Sequence, residues 1–466
     1  MRFAKSLAAP LIALALVAAA CGDSGSKSSN SAAPTTAGGA ATTAGSTGTT
    51  AGGSTATTAA TSDATGTVTV FNAMEPAEAT ALQAVVDQLI TPNVKYKATI
   101  EQSSDFETQA KIRIQGGNPP EILMFPQPGT VLEQAKAGKA IALEDMGFTS
   151  DQLEQTFGKY LMSLVEYNGK HYGLPTNVNL KSMIWYPKAA FDAKGYTIPK
   201  TWDELVALSD KIKADGSTPW CVGFESGGAT GWPATDWMED IMLRTAGPDT
   251  YDKWVSHAIP FTDPTVKKAA QLFGQIMFTD GYVLGGAANT TSINFGDAPT
   301  PMFDNPPKCW LHRQASFING FFPKTAVAGK DYDWFPFPSI TTAPDAALMA
   351  GEYSTVFKDT PAVRDFLQRF SGVEVQCAQG KQTSLSRISP NLGVTSDCYA
   401  NPQLARAADV VNAALKAGSG RFDASDQMPS AVGSGSFWTG MVKYVQSGAD
   451  SLQGVLSDID KSWPAS

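Results

Sequence analysis

The chain of 466 residues carries 44 acidic against 35 basic side chains, a formal net charge of −9. That balance excludes nucleic acid as the partner, since phosphates call for a basic surface, and it excludes broad attraction to anionic lipid. The length, with 43% hydrophobic residues, is enough for a body of two lobes of ordinary domain size.

The N-terminus reads MRFAKSLAAPLIALALVAAACGDSGSKSS. Arg2 and Lys5 form a basic start, residues 7–20 are small and apolar, and polar sequence follows. The apolar run is too short to span a bilayer and fits a secretory signal peptide over 1–20. Arg2 and Lys5 leave with it, which takes two positive charges off −9 and gives −11. Ala18, Ala19 and Ala20 lead into Cys21, a pattern that resembles a bacterial lipobox, so Cys21 is read as the lipidation site. Residues 21–66 are largely Ser, Thr, Ala and Gly. They bury too little apolar area to offset the entropy of ordering and read as a tether. A lipid and a tether would anchor the body extracytoplasmically, at the outer face of the cell membrane.

The body opens as alternating strands and helices. TVTVF (67–71) is β-rich, and in 76–90 Leu82, Val85, Val86, Leu89 and Ile90 share one helical face behind Pro76. VKYKATI (94–100) alternates as a half-buried strand, Asp105 stands where a cap would start a helix to Gln115, and EILMF (121–125) is a third strand. This order predicts an α/β layer with a mainly parallel sheet. Ligand crevices in open α/β sheets form at the carboxyl ends of strands, which places Asn72, Met74, Ser104, Asp105 and Gln127 at one rim. Further along, Thr201 with Glu204 forms a capping box, and Asp263-Pro264 and Thr360-Pro361 announce helix starts. No stretch after the leader reaches the roughly 18 apolar residues a membrane helix needs.

Besides Cys21 there are Cys221, Cys309, Cys377 and Cys398, which in an exported chain read as disulfides with three possible connectivities. The preferred pairing is Cys221–Cys309, which joins two Trp-bearing segments, and Cys377–Cys398, which closes a short loop. No C-x-x-C pair supports zinc or redox chemistry, and His171, His257 and His312 are too scattered for a metal set. No cofactor is expected.

Segment 225–240, ESGGATGWPATDWMED, combines Trp232 and Trp237 with Glu225, Asp236, Glu239 and Asp240. Two carboxylates suffice for a glycosidase, so a membrane-anchored glycoside hydrolase is one reading of the segment. The aromatics point elsewhere. Trp185, Trp220, Trp232, Trp237, Trp310 and Trp438 lie near polar or turn-forming residues. A sugar offers C–H faces and hydroxyl edges, so a site for it needs flat aromatic platforms and polar side chains at the rim. CWLHRQ (309–314) adds Arg313 to Trp310 in the same manner.

Signal peptide, cysteine and tether precede TVTVFNAMEP, SSDFETQAKIRIQGGNPPEILMFPQPG, GKHYGLPTNVNLKSMIWYPKAAF and IPKTWDEL. TPWCVGFESGGATGWPATDWMEDIMLR, CWLHRQASF and RFDASDQMPSAVGSGSFWTGMVKYV follow. In this order the segments resemble the family-1 extracellular solute-binding proteins of carbohydrate ABC importers, especially their α-glucoside-type branch, over essentially all of 67–466. The resemblance implies a two-lobed periplasmic-binding-protein-like α/β clamp with several hinge crossings. Motif positions place one lobe at 67–175 plus 345–390 and the other at 176–344 plus 391–466. The first crossing then falls near LPTNVNL, with Asn177 and Asn179 at the hinge side of the cleft.

The resemblance further implies Trp438 as a stacking platform, with GEYS (351–354), including Glu352, on the opposite wall. The expected protein is a monomeric receptor, not an enzyme. It captures a carbohydrate, a short α-linked oligosaccharide, by hinge closure and delivers it to permease subunits, touching the membrane only through its lipid. Trp232, Trp310 and Trp438 would stack, while Asp105, Glu225, Asp236 and Arg313 orient hydroxyls and Asn72 and Gln127 stand at the rim.

Overall fold

The computed structural model describes residues 61–341 and 346–465. The signal peptide, Cys21 and most of the expected tether lie outside the described residues. The tether's last residues are already docked: Ser62 N donates to Asn93 O at 2.9 Å, and Lys97 N donates to Gly66 O at 3.0 Å. No helix among the described residues is long and apolar enough to cross a membrane.

Strand β1 (Thr67–Asn72), helix α1 (Pro76–Leu89), β2 (Lys97–Gln102), α2 (Phe106–Gln115) and β3 (Ile122–Phe125) follow the alternation read from the sequence. Helix α3 (Pro128–Lys136) comes next, then β4 (Leu174–Leu180) and β5 (Met183–Tyr186). The middle of the chain supplies α4 (Trp202–Ala214), β6 (Thr218–Trp220), α5 (Trp232–Ala246), α6 (Pro264–Phe278), β7 (Cys309–Arg313) and β8 (Asp333–Pro336). The last part holds β9 (Ala347–Val356), α7 (Pro361–Phe370), α8 (Pro402–Ala417), β10 (Gly420–Phe422) and α9 (Trp438–Ser447).

Local signals set the helix starts. Thr201 and Glu204 close a capping box at α4, Thr360 accepts from Val363 N at α7, and Asp263 accepts from Thr265 N at α6. Asp105 occupies the position before α2, but its side chain makes no capping bond.

Two sheets organise the body. The first runs β10-β9-β3-β1-β2, with β4 also on β9. Its β1–β2, β1–β3 and β9–β10 pairs are parallel, but β9 runs antiparallel to β3 and β4. The expected mainly parallel sheet is therefore mixed, because β9 re-enters from the other lobe in the reverse direction. The second sheet runs β8-β5-β7-β6.

Each sheet has its own core. Val70, Leu82, Leu123, Phe366 and Val411 belong to the first, and Trp220, Ile241, Phe273, Leu311 and Tyr444 to the second. Each such side chain contributes about 1.5–3 kcal/mol by leaving water, so each lobe is stabilised from within.

The chain passes between sheets at Lys181-Ser182, again between β8 and β9, and a third time after β10. The boundaries expected from motif positions shift accordingly. Strand β4, with Asn177 and Asn179, pairs in the first sheet. So does β10, while Leu404, Ala407 and Val411 of α8 pack in the first core. Residues 402–422 thus sit with the first lobe, because β9 is long enough to take β10 as a further neighbour. Cys221–Cys309 and Cys377–Cys398 are both bonded, as preferred; the first ties the end of β6 to the start of β7.

Candidate ligand cleft

A cavity of about 390 Å³ opens between the two sheets. The first lobe meets it where β1, β2 and β3 end and α1, α2 and α3 begin. Glu75 and Glu78 come from the start of α1, Ser104 and Glu107 from the start of α2, and Gln127 from the turn before α3. Strand β4 adds Asn177 and Asn179, and β9 adds Gly351 and Glu352. The strands approach so closely here that a Cβ on Gly351 would stand 2.2 Å from Asn177 O. Only glycine fits there.

Charge pairing sets the polar wall. Glu352 Oε2 accepts from Arg387 Nη1 at 2.7 Å and from Asn177 Nδ2 at 3.3 Å. Opposite, Glu225 accepts from Gly227 N at 2.7 Å and Asn294 Nδ2 at 2.8 Å. Burial pushes Glu75 above its ordinary range, with Glu225 across the cleft adding repulsion, and burial likewise pushes Glu78 up to about 7.

The aromatic wall comes from the second lobe. Trp232 begins α5 and is half-buried, with the rings of Phe295 at 5.2 Å and Phe317 at 6.0 Å. Trp438 begins α9, and its indole N–H donates to Ser425 Oγ at 3.1 Å. All four rings line the cavity.

Under the floor lies a buried charge network. Lys181 Nζ is 2.6 Å from both Asp236 Oδ1 and Asp423 Oδ2. Arg313 Nη1 donates to Asp236 Oδ2 at 3.0 Å and Nη2 to Asp240 Oδ2 at 3.3 Å. Glu239 accepts from Ala424 N and Ser425 N. Burial opposes the Lys181 charge, but Asp236 and Asp423 outweigh it and hold its pKa above the usual range. Burial lifts Asp236 to about 6 against the pull of Lys181 and Arg313, and burial with Asp423 alongside pushes Glu239 well up. Asp423 goes the other way: burial works against its charge, yet Lys181 draws it down to about 2. Asp236, Glu239 and Asp423 have the mutual spacing of a cation site, and the ammonium of Lys181 supplies positive charge among them.

Of the residues expected at the ligand, Gln127, Asn177, Asn179, Glu225, Trp232, Glu352 and Trp438 line the cavity. The others do not. Asp236 and Arg313 are shut into the network behind the floor, where Asp236 pairs with Lys181 and Arg313, and Arg313 pairs also with Asp240. Trp310 lies on β7, which is flanked on both sides by strands, and its indole faces the second core. There its N–H donates to Ser217 Oγ at 2.7 Å and its ring meets Tyr196 at 5.2 Å. Asn72 is buried below the rim, its Oδ1 holding Met74 N at 2.9 Å. Asp105 stands at the cleft mouth, opposite Gly228.

The carboxylate pair needed for hydrolysis is not assembled from segment 225–240. Asp236, Glu239 and Asp240 are buried on α5, and only Glu225 reaches the cavity. None of the three histidines lines the cavity: His171 pairs with Glu144, His257 stacks on Trp463, and His312 bonds Cys221 O at 2.9 Å.

Sequence reasoning missed Lys181, Arg387, Asp423 and Asp426, all of which line the cavity. Lys181 directly follows LPTNVNL, and the two aspartates sit in RFDASD, so proximity to those segments was the available signal.

Residues 72–376 match the family described as bacterial extracellular solute-binding protein. The chain belongs to that family. This solute-binding chain is 40% identical over 410 residues to the alpha-glucosides-binding periplasmic protein AglE of Rhizobium meliloti, spanning 85% of this chain and 87% of that one. It is 39% identical over 389 residues to the osmoprotective compounds-binding protein GgtB of Synechocystis sp., spanning 82% and 90%. Among solved structures it overlays on the bacterial solute receptor AcbH with a TM-score of 0.71 at 20% identity, over 85% of this chain and 98% of that one. It overlays on maltose-bound T. maritima MalE3 at 0.63 and 16%, over 84% and 99%. At such identities the overlays establish the solute-binding protein's fold.

Proposed function

We propose that this extracytoplasmic protein is the sugar receptor of an ABC importer, that its ligand is an α-glucoside, and that it hands the ligand unchanged to the permease. The observation carrying this reading is one cavity with rings on one wall and paired carboxylate, amide and guanidinium groups on the other. Those are the two chemistries a sugar's face and edge require. The name of the relative AglE supports the α-glucoside assignment. Because the walls come from different lobes, ligand favours the conformation in which both touch it, which is closure by population shift. The reading includes a monomer held by lipid on Cys21, with no chemistry performed on the sugar.

Thermal melting of the purified protein with maltose, trehalose, sucrose and raffinose tests the reading. A sugar bound only by the folded state stabilises it by about 2.7 kcal/mol at a hundred times Kd, so at least one melting point rises. Chromatography after incubation recovers the sugar intact. A flat panel sinks the receptor reading, and hydrolysis products would replace it with an enzyme.

A further inference from the structure

The cavity floor holds a carboxylate that no described residue pairs. Asp426 lines the cavity and is 5% exposed. Its backbone N–H donates to Asp423 Oδ1 at 3.0 Å, but among the described residues its own carboxylate makes neither a hydrogen bond nor an ion pair. Burial, with Asp423 beside it, pushes its pKa well up. Beside it lies a donor with spare capacity. Lys181, also 5% exposed, gives two of its three N–H groups to Asp236 and Asp423, and the ammonium lies 5.1 Å from the centre of the Trp232 ring. A buried polar group left unmet is destabilising, and folded proteins retain such groups chiefly where function uses them.

We propose that Asp426 and Lys181 form a subsite that reads one vicinal diol of the ligand. One hydroxyl donates to the Asp426 carboxylate, and its neighbour accepts the free Lys181 N–H, with the sugar ring against Trp232. The inference rests on the receptor reading and adds what it lacks, a determinant of which sugar is accepted. Removing or inverting either hydroxyl leaves a buried polar group unmet. Such a loss discriminates far more strongly than a lost apolar contact.

Calorimetry on the full protein with maltose, trehalose and sucrose, and with deoxy analogues of each sugar that binds, provides the test. Asp426→Asn keeps the shape and replaces a carboxyl oxygen with an amide nitrogen, which cannot accept the hydroxyl. It weakens binding of the parent sugar about ten- to a hundredfold, the range for leaving a buried hydrogen-bonding group unmet. It also narrows the preference for the parent over the analogue lacking the diol hydroxyl, a ratio that a merely structural role would not move. Without sugar, Asp426→Asn melts no lower than the wild type, because the carboxylate it removes had no partner. Affinity within about twofold of wild type, an unchanged selectivity ratio, or a variant that fails to fold overturns the subsite alone. A wild type that binds none of these sugars, nor raffinose, overturns the receptor reading and the subsite with it.

Discussion

Gly228 and Asp105 face each other across the mouth of the cleft, one from each lobe, and a Cβ on Gly228 would stand 2.8 Å from Asp105 Oδ1. Next to them a Cβ on Gly227 would stand 3.1 Å from Ser104 O. Gly227 and Gly228 therefore let the lobes meet. In Gly228→Leu the branched side chain holds them apart, and sugar affinity falls about tenfold, or about 1.4 kcal/mol. The sugar-free melting point stays put, since the change lies at the surface of both cores. Adding Asp105→Gly recovers part of the affinity; a Gly228→Leu protein that binds like the parent refutes the contact.

Trp232 and Trp310 make a matched pair for separating binding from folding. Trp232→Ala removes a cavity wall and weakens sugar binding by more than ~1 kcal/mol in calorimetry. Trp310→Ala instead empties part of the second core and lowers stability by about 3–5 kcal/mol in urea titrations, with affinity of the folded fraction retained. Exchange of those two outcomes would reverse the placement of the indoles.

His312 makes the protein acid-sensitive. Burial holds its folded pKa down to about 4; the bond to Cys221 O resists the shift and Arg313 next to it adds to it. The unfolded ring takes a proton below about pH 6.5, the folded ring only below about 4. Stability from the neutral ring is thus complete above pH 6.5 and drains away as pH falls toward 4, by roughly 3 kcal/mol in all. His312→Gln lacks this dependence, so the melting-point advantage of the wild type over it shrinks between pH 7 and 4. A constant gap across that range would count against the assignment.

The two disulfides differ in the length of chain they close, 88 residues for Cys221–Cys309 and 21 for Cys377–Cys398. On loop entropy alone the first contributes about 4.6 kcal/mol and the second about 3.3. Paired Cys→Ser variants in denaturant titration should keep that order. A larger loss from Cys377→Ser with Cys398→Ser would show that contacts near the short loop, rather than chain entropy, dominate.

Much of the frame was legible in the residues because it depends on near neighbours. Leu82, Val85 and Val86 repeat at helical spacing, and the bond from Glu204 N to Thr201 Oγ spans three residues. The ends of the opening strands were also readable, which brought Gln127 to the cavity. The cleft residues Asn177, Glu352 and Trp438 came instead from the family resemblance.

What the sequence determined by itself was the opening succession of strands and helices, the caps at Thr201, Asp263 and Thr360, and a body with the residue types of a sugar cleft, while the choice among three cysteine pairings waited for the structure. Only the tertiary structure decided which of those residues face the cleft. Trp232 and Trp310 have similar polar neighbours in the chain, yet one begins a helix at a cavity and the other lies on a strand enclosed by two more. Lys181 meets Asp236 across 55 residues and Asp423 across 242. Such pairings arise because the chain crosses repeatedly between two sheets, and no local pattern encodes where those crossings bring opposite charges together.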